Sequence, residues 1–282
     1  LNLTINDSPS ISDSISDYNG FGVACNGDNN GFIHITTPVG TAPFTYNWSN
    51  GDTTQNIVSL FAGTFIVVVT DGNGCTSQKS VIITEPNPLI ISLMPTNLSC
   101  FQDSSGAIDL TVSGGTSPNY SYNWNNGSTL EDISGLQIGT YSVEVTDNNG
   151  CTISDSTTLT EPIVLSSLLS PVHILCNGDN SGSITVSTNG GGTPPYSYQL
   201  DNVLNNPPYS NVFNLLTAAT YSVSVIDSNS CFSTNLITLT EPSLLVPIIN
   251  SFTDVLCFGA NTGSIDLNVF GGSGSYTYAW SD

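Results

Sequence analysis

The residues best suited to chemistry in this chain are seven regularly spaced cysteines. The first series, spaced 75, 76 and 81 residues apart, is Cys25, Cys100, Cys176 and Cys257. The second, spaced 76 and 80 residues apart, is Cys75, Cys151 and Cys231. Regular cysteines in small domains indicate disulfides and an oxidising compartment. We expect the pairs Cys25–Cys75, Cys100–Cys151 and Cys176–Cys231, and a partner for Cys257 beyond the chain end.

Each expected disulfide closes a loop of about 50 residues, which the chain-entropy treatment equates with roughly 4 kcal/mol. The alternative is a set of buried free thiols in a cytosolic protein. Zinc is disfavoured because the sequence contains no Cys-x-x-Cys pair.

Aspartates recur beside both cysteine series. Three follow a first cysteine by three residues (Asp28, Asp103 and Asp179), and three precede a second cysteine by four (Asp71, Asp147 and Asp227). If the expected disulfides form, each pair of aspartates converges at one pole of its domain and could bind calcium with nearby asparagine and carbonyl oxygens. The alternative is that these side chains only cap turns. Calcium is the one cofactor hypothesis, and Ala260 replaces the aspartate in the fourth unit.

Residues for catalysis are scarce. The chain has no arginine, one lysine (Lys79), and two histidines, His34 and His173, at non-equivalent positions of different units. A nucleophile needs an adjacent base and an orienting group, and no such trio repeats. The sequence therefore predicts no enzyme activity.

The charge balance narrows the choice of partners. The sequence has 22 acidic residues against one basic residue, for a net charge of −21. Such a chain cannot neutralise nucleic-acid phosphates, and anionic membrane surfaces repel it. No apolar run is long enough to span a membrane, so we expect neither nucleic-acid binding nor a membrane-spanning segment.

A third marker shares the cysteine period: Thr-Glu-Pro triplets at Glu85, Glu161 and Glu241 step by 76 and 80 residues. The period predicts three whole domains and part of a fourth. We place repeat 1 at 1–86, repeat 2 at 87–162, repeat 3 at 163–242 and a truncated repeat 4 at 243–282. Repeat 1 has a polar lead-in, Asn6 to Gly20, that we predict as a loop, and repeat 3 has an insertion around Leu204 to Tyr209. We interpret the chain as an internal segment of a longer polypeptide.

Short alternating segments predict an all-β fold. In repeat 2, Ile108, Leu110 and Val112 alternate with polar residues, and six such strands can be counted, with turn residues between them. No segment has a helical period. The prediction is a linear array of immunoglobulin-like antiparallel β-sandwich domains of 76–80 residues.

Aromatic residues stand at every second position of one strand per repeat, as in Tyr120, Tyr122 and Trp124. A tryptophan on a central strand is typical of a sandwich core, although a carbohydrate platform is the alternative. Phe65, Tyr141 and Tyr221 are equivalent to one another and resemble a tyrosine corner, a structural device.

The combined pattern resembles a known family. The pattern is Cys, Gly-x-Ile, an aromatic stripe, Leu-x-x-Gly-Thr-Tyr-x-Val-x-Val-x-Asp, Gly-Cys and a closing Glu-Pro, and repeat 2 matches it most completely. This resembles the SprB repeat of giant cell-surface adhesins in gliding Bacteroidetes, which also occurs in other large surface proteins. The resemblance implies an extracellular protein, exported by the type IX secretion system and attached to the outer membrane. In gliding species it implies contact with the gliding machinery and with the substratum.

The resemblance also suggests sites for O-linked glycans. Three positions fit the Bacteroidetes pattern of aspartate, then Ser or Thr, then an apolar residue or Thr: Ser14, Thr53 and Ser156.

Two functional hypotheses remain open at this point. The first is a structural stalk whose partners are neighbouring repeats of the same longer chain. The second is a set of modules that each bind extracellular polysaccharide or another surface ligand.

Overall fold

The structure, a computed structural model, describes residues 7–116, 118–204 and 209–281. All regular secondary structure in these residues is β-strand, which confirms the all-β prediction. Leu1–Asn6 and Asp282 of the expected domains lie outside the described residues, as does the 205–208 part of the expected insertion.

The described part of repeat 1, residues 7–86, contains six strands: β1 (Ser10–Ile15), β2 (Gly31–Val39), β3 (Thr45–Trp48), β4 (Ile57–Leu60), β5 (Gly63–Thr70) and β6 (Thr76–Ile83). One antiparallel sheet has the order β1-β2-β4 and the other β3-β5-β6. The loop prediction for the lead-in is wrong, because β1 pairs with β2 and places Asp13 2.9 Å from Lys79 of β6.

Repeat 2 contains β7 (Asn87–Thr96), β8 (Gly106–Gly115), β9 (Ser121–Trp124), β10 (Ile133–Leu136), β11 (Gly139–Thr146) and β12 (Thr152–Leu159). Its sheets have the orders β10-β8-β7 and β12-β11-β9, the same topology as repeat 1. Edge strand β7 of one sheet lies beside β12 of the other.

Repeat 3 contains β13 (Ser166–Val172), β14 (Gly182–Gly190), β15 (Ser197–Leu200), β16 (Val203–Leu204), β17 (Val212–Leu216), β18 (Ala219–Ile226) and β19 (Phe232–Leu239). The added strand β16 extends the second sheet to the order β16-β15-β18-β19. Beyond it, β20 (Ser243–Thr253) and β21 (Ser264–Gly272) form one antiparallel pair.

The apolar residues of the two sheets meet in a common core. In repeat 1, Ile33 and Ile35 of β2 pack with Trp48 of β3 and with Val67 and Val69 of β5. Trp48 and Trp124 are each 2% exposed. Their indole N–H groups donate to backbone carbonyls, those of Thr54 and Leu130, each at 2.9 Å. The core interpretation of the aromatic stripe is therefore confirmed for both tryptophans.

The tyrosine corner is also present. The hydroxyl of Tyr141 donates to the carbonyl of Gln137 at 3.0 Å, and that of Tyr221 donates to the carbonyl of Thr217 at 3.1 Å. Each bond reaches four residues back along the chain and fixes the entry of β11 or β18. Phe65 occupies the same position in repeat 1 without a hydroxyl.

The chain divides into two compact units whose boundaries differ from the repeat boundaries. The first unit is Leu1–Asn97 with Ser104–Thr160, and the second is Leu98–Asp103 with Glu161–Asp282. The short segment Leu98–Asp103 thus comes from repeat 2 in sequence but belongs to the unit that contains repeat 3.

Candidate functional site: the disulfide joints

The disulfides connect different repeats, and the expected pairing within repeats is wrong. In the first unit Cys25 bonds to Cys151, 126 residues away. In the second unit Cys100 bonds to Cys231, 131 residues away. In both cases the first cysteine of one repeat is joined to the second cysteine of the next. Cys75, Cys176 and Cys257 are free thiols.

Strand β6 explains why Cys25 and Cys75 cannot pair. Cys75 directly precedes β6, whereas the backbone N–H of Val23, two residues before Cys25, bonds to the carbonyl of Thr84 just after β6. The eight residues of this strand separate its ends by about 25 Å. A disulfide needs Cα atoms within about 7 Å. The two cysteines of one repeat therefore lie at opposite poles, and each can reach only a cysteine of another repeat.

The second cysteine of each repeat closes a tight loop on a buried aspartate. We call Asp71–Cys75, Asp147–Cys151 and Asp227–Cys231 the cysteine loops. Within the loop of repeat 2, Oδ1 of Asp147 accepts the N–H groups of Asn149 and Cys151, both at 2.9 Å. Its Oδ2 accepts the N–H of Thr116 at 2.8 Å. One carboxylate thereby fixes the loop and attaches it to the chain after β8.

The same geometry recurs in the other two loops. Oδ1 of Asp71 accepts the N–H of Cys75 at 2.9 Å, and Oδ1 of Asp227 accepts that of Cys231 at 2.8 Å. Asp71, Asp147 and Asp227 are 5%, 6% and 6% exposed. The turn-capping alternative considered for these aspartates therefore matches their contacts.

The hydrogen bonds affect the ionisation of two of these carboxyls. Burial is the largest single influence on Asp147 and acts to raise its pKa, but the backbone N–H groups of Thr116, Cys151 and Asn149 together with the hydroxyl of Thr116 outweigh it. The net pKa is lowered from its ordinary value of 3.8. For Asp71, burial likewise acts to raise the pKa, but hydrogen bonds from backbone N–H groups outweigh it, so the pKa of Asp71 is lowered too. Both loops therefore favour the charged carboxylate.

An asparagine in each occupied loop contacts the incoming segment. Nδ2 of Asn149 donates to the carbonyls of Ala24 at 2.9 Å and Tyr18 at 3.2 Å, while its Oδ1 accepts from Asn19 at 2.5 Å. Asn229 donates to the carbonyl of Ser99 at 3.4 Å. Ala24 and Ser99 each directly precede the bonded first cysteine, so both joints use the same contact.

The first cysteine of each repeat starts a turn that a glutamate holds. Carboxylate oxygens of the Thr-Glu-Pro glutamates accept backbone N–H groups of these turns: Glu85 from Gly27 at 2.8 Å, Glu161 from Gln102 at 2.7 Å and Glu241 from Gly178 at 2.7 Å. In the sequence alone these glutamates mark only the repeat period. Their shared period with the cysteines was the available signal for a structural link.

The structure contradicts the premise of the calcium hypothesis, which is that the two aspartates of one repeat lie at the same pole. Because the first and second cysteines of a repeat lie at opposite poles, Asp28 and Asp71 do not converge. At the Cys25–Cys151 joint, Asp28 and Asp147 instead flank the disulfide in sequence, and Oδ2 of Asp28 already accepts the N–H of Cys25 at 3.2 Å. In the second unit Asp103 and Asp227 flank the other disulfide, and Oδ2 of Asp103 accepts the N–H of Cys100 at 3.0 Å. Asp179 is bonded to the N–H of Asn180.

Among the described residues no group of three or more acidic, histidine or cysteine side chains could hold a metal. Calcium binding stays a prediction. The three candidate glycosylation positions, Ser14, Thr53 and Ser156, are exposed, and their modification also stays a prediction. Within the described part of the chain, no helix has the length and apolarity needed to cross a membrane.

A comparison with protein families finds one match in each of the four repeats. The SprB repeat profile matches residues 23–53, 93–129, 169–205 and 249–282. This is a SprB-repeat protein. Each SprB match includes a first cysteine and the aromatic stripe that follows it, whereas the second cysteines lie outside the matched ranges. A comparison with curated protein sequences finds no match to the chain.

Solved structures of tandem immunoglobulin domains resemble this chain with low sequence identity and low TM-scores. The three titin domains I67–I69 share 14% identity at a TM-score of 0.35, covering 77% of this chain and 93% of that one. The N-terminal eight Ig domains of Down Syndrome Cell Adhesion Molecule share 11% identity at a TM-score of 0.30, covering 75% of this chain. The SprB-repeat chain spans 33% of that second structure.

Proposed function

We propose that this chain is a stalk segment of a large secreted cell-surface adhesin whose consecutive repeats are stapled by disulfides. The observation that carries the proposal is the joint at Cys25–Cys151, where a disulfide and the amide of Asn149 hold repeat 2 to repeat 1. SprB repeats and disulfides are features of extracellular surface proteins of the adhesin type, and such domains are generally non-enzymatic.

The staples limit how far the chain extends under load. A force applied along the chain can pass directly between Cys25 and Cys151, which removes 126 residues from the path, or between Cys100 and Cys231, which removes 131. The two loops interlock in sequence, so the shortest covalent route uses both bonds: it crosses from Cys25 to Cys151, follows the chain back to Cys100 and crosses to Cys231. This route needs the 51 residues between Cys100 and Cys151, where the reduced chain needs the 206 between Cys25 and Cys231. The difference is about 155 residues, or about 500 Å of extended chain.

Force spectroscopy on the whole chain tests this role. The oxidised protein should unfold with a total contour length about 500 Å shorter than the protein treated with a phosphine reductant. The matched control is a variant with Cys100→Ser and Cys231→Ser, which retains the Cys25–Cys151 shortcut of 126 residues. Equal contour lengths before and after reduction would contradict the stapled stalk.

The rival function is direct binding of polysaccharide by each repeat. A glycan platform needs exposed aromatics at equivalent positions, whereas Trp48 and Trp124 are buried in the cores of their repeats. Tight binding of the oxidised chain on a glycan array would favour this rival over the stalk.

The cellular setting belongs to the same proposal. We place the protein on the outer membrane of a Bacteroidetes cell, exported by type IX secretion and serving attachment and gliding. Support comes from the SprB matches and from disulfides that require an oxidising compartment. Antibody labelling of intact cells should detect the chain, and a deletion strain should lose attachment and spreading. Labelling only after lysis would reject the surface location.

A further inference from the structure

The cysteine loop of repeat 1 is built like the two occupied loops, but within the described residues its cysteine has no disulfide partner. Its backbone closes through the N–H of Asp71 and the carbonyl of Cys75 at 3.0 Å, as in the Asp147 loop, also at 3.0 Å. Oδ1 of Asp71 accepts the N–H groups of Asn73 and Cys75, both at 2.9 Å, and Oδ2 accepts that of Thr41 at 3.2 Å. This loop is therefore ordered without a disulfide.

The difference lies in the groups that face the partner. Cys75 is a free, half-buried thiol. The amide of Asn73 donates to the hydroxyl of Thr41 at 2.9 Å. In the occupied loops the equivalent asparagines, Asn149 and Asn229, donate to the carbonyl before the bonded cysteine.

The segment that fills the other two loops has a common form. A buried apolar residue comes first, one residue follows, and then comes the cysteine: Val23-Ala24-Cys25 and Leu98-Ser99-Cys100. Ile174-Leu175-Cys176 repeats this form with Ile174 buried, and Glu241 holds its turn through the N–H of Gly178, as Glu85 does for Gly27. Cys176 is an exposed free thiol. Cys75, in the loop of repeat 1, and Cys176, in the first-cysteine segment of repeat 3, are therefore both free to form a disulfide.

We propose that the Asp71–Cys75 loop is a docking site for the first-cysteine segment of another SprB repeat, with which Cys75 forms a disulfide. The bond forms when two thiols give up two electrons and two protons to a small-molecule disulfide such as oxidised glutathione, which leaves as two thiols. Recognition comes from the amide of Asn73, which donates to the carbonyl preceding the incoming cysteine. This inference goes beyond the stalk role, since it assigns a specific partner segment to one loop.

The test uses the whole oxidised chain and a synthetic peptide of residues 172–181, which contains Cys176, in a glutathione redox buffer. Mass spectrometry of non-reduced digests measures the peptide adducts on Cys75, Cys176 and Cys257 at equilibrium, each relative to its glutathione adduct. We expect the peptide-to-glutathione ratio at Cys75 to exceed that at Cys176 and Cys257 by about tenfold, the effect of one net hydrogen bond.

Asn73→Ala should remove most of this preference while the fold, followed by circular dichroism, is retained. Thr53→Ala, a change at an exposed position outside the loop, is the matched control and should leave the preference intact. Chains that link Cys75 to Cys176 of a second copy without added peptide would support the same docking. Equal ratios at all three cysteines, or dimers joined only through Cys176 and Cys257, would overturn the proposal.

Discussion

Asp147 shows how one side chain can organise a joint. Its two oxygens accept three backbone N–H groups, and it does so while 6% exposed. A buried carboxylate with this many donors is more stable charged than neutral, so the contribution of the loop to folding stability depends on pH.

The lowered pKa of Asp147 predicts an acid-sensitive contribution to stability. The contribution is fully present above the ordinary value of 3.8 and is lost as the pH falls through the lower folded-state pKa. Asp147→Asn removes the charge and one acceptor, so it should lower the free energy of unfolding by about 2 kcal/mol at pH 7. Thermal melts of both proteins should converge in acid, once the carboxyl of Asp147 is protonated in the folded protein as well. The control, Glu144→Gln at an exposed position of β11, should melt like the parent, and a gap for Asp147→Asn that persists in acid would contradict the explanation.

The tyrosine corner gives a reciprocal prediction. Tyr141→Phe removes the hydrogen bond to Gln137 and should lower stability by about 1 kcal/mol. Phe65→Tyr should add the equivalent bond in repeat 1, donating to the carbonyl of Phe61, and raise stability by a similar or smaller amount. Urea unfolding of both variants measures the two changes, and a loss of stability in Phe65→Tyr would show that repeat 1 lacks the corner geometry.

Strand β8 depends on a close backbone approach at its end. The pairing of β7 with β8 shifts register between Asn87 and Ile90, and Gly114 lies there with a φ of 79°. A Cβ at Gly114 would lie 1.8 Å from the carbonyl oxygen of Pro88, a backbone atom that cannot rotate away. The edge pairing of repeat 2 therefore needs glycine at this position.

Two glycine substitutions separate the close contact from backbone strain. Gly114→Ala should cost about 3 kcal/mol or more, because the clash and the left-handed φ act together. Gly127 has a φ of 85° but open space around its Cα, so Gly127→Ala should cost only about 1–2 kcal/mol. Chemical denaturation of the two variants checks the order. A larger loss in Gly127→Ala would contradict the steric explanation.

At the scale of the whole molecule, covalent topology distinguishes this chain from an array of independent domains. The disulfides bridge 126 and 131 residues, so each closes a longer loop than a pair within one repeat would. In the chain-entropy treatment a loop of this size is worth about 5 kcal/mol.

The disulfide map is the most direct check on this topology. Non-reducing digestion of the native protein should yield one cross-linked peptide containing Cys25 and Cys151 and another containing Cys100 and Cys231. Thermal melts after reduction should show a loss of stability in the repeats that these bonds join. A cross-linked peptide containing Cys25 and Cys75 would contradict the separation of these cysteines by the length of β6.

Local sequence patterns were enough to predict the repeat period, the all-β class, the buried tryptophans and the tyrosine corners. These features follow from local patterns, since alternation along a strand fixes which side chains face a core. The six-strand count of repeat 2 follows in the same way. Strand β1 was missed because Ser10–Ile15 is polar and gains its place from pairing with β2 and from the ion pair of Asp13 with Lys79.

The pairing of the cysteines depends on the three-dimensional packing of the repeats and could not be predicted from their spacing. Spacing shows that Cys25 and Cys75 belong to one repeat, but it does not show which pole each occupies. The poles are set by β6, which carries the chain from Cys75 to the segment beside Cys25 at the far end of the sandwich. For the same reason the sequence could show that Asp147 and Asn149 recur but not that Asn149 contacts Ala24, because that contact depends on how one repeat packs against the one before it.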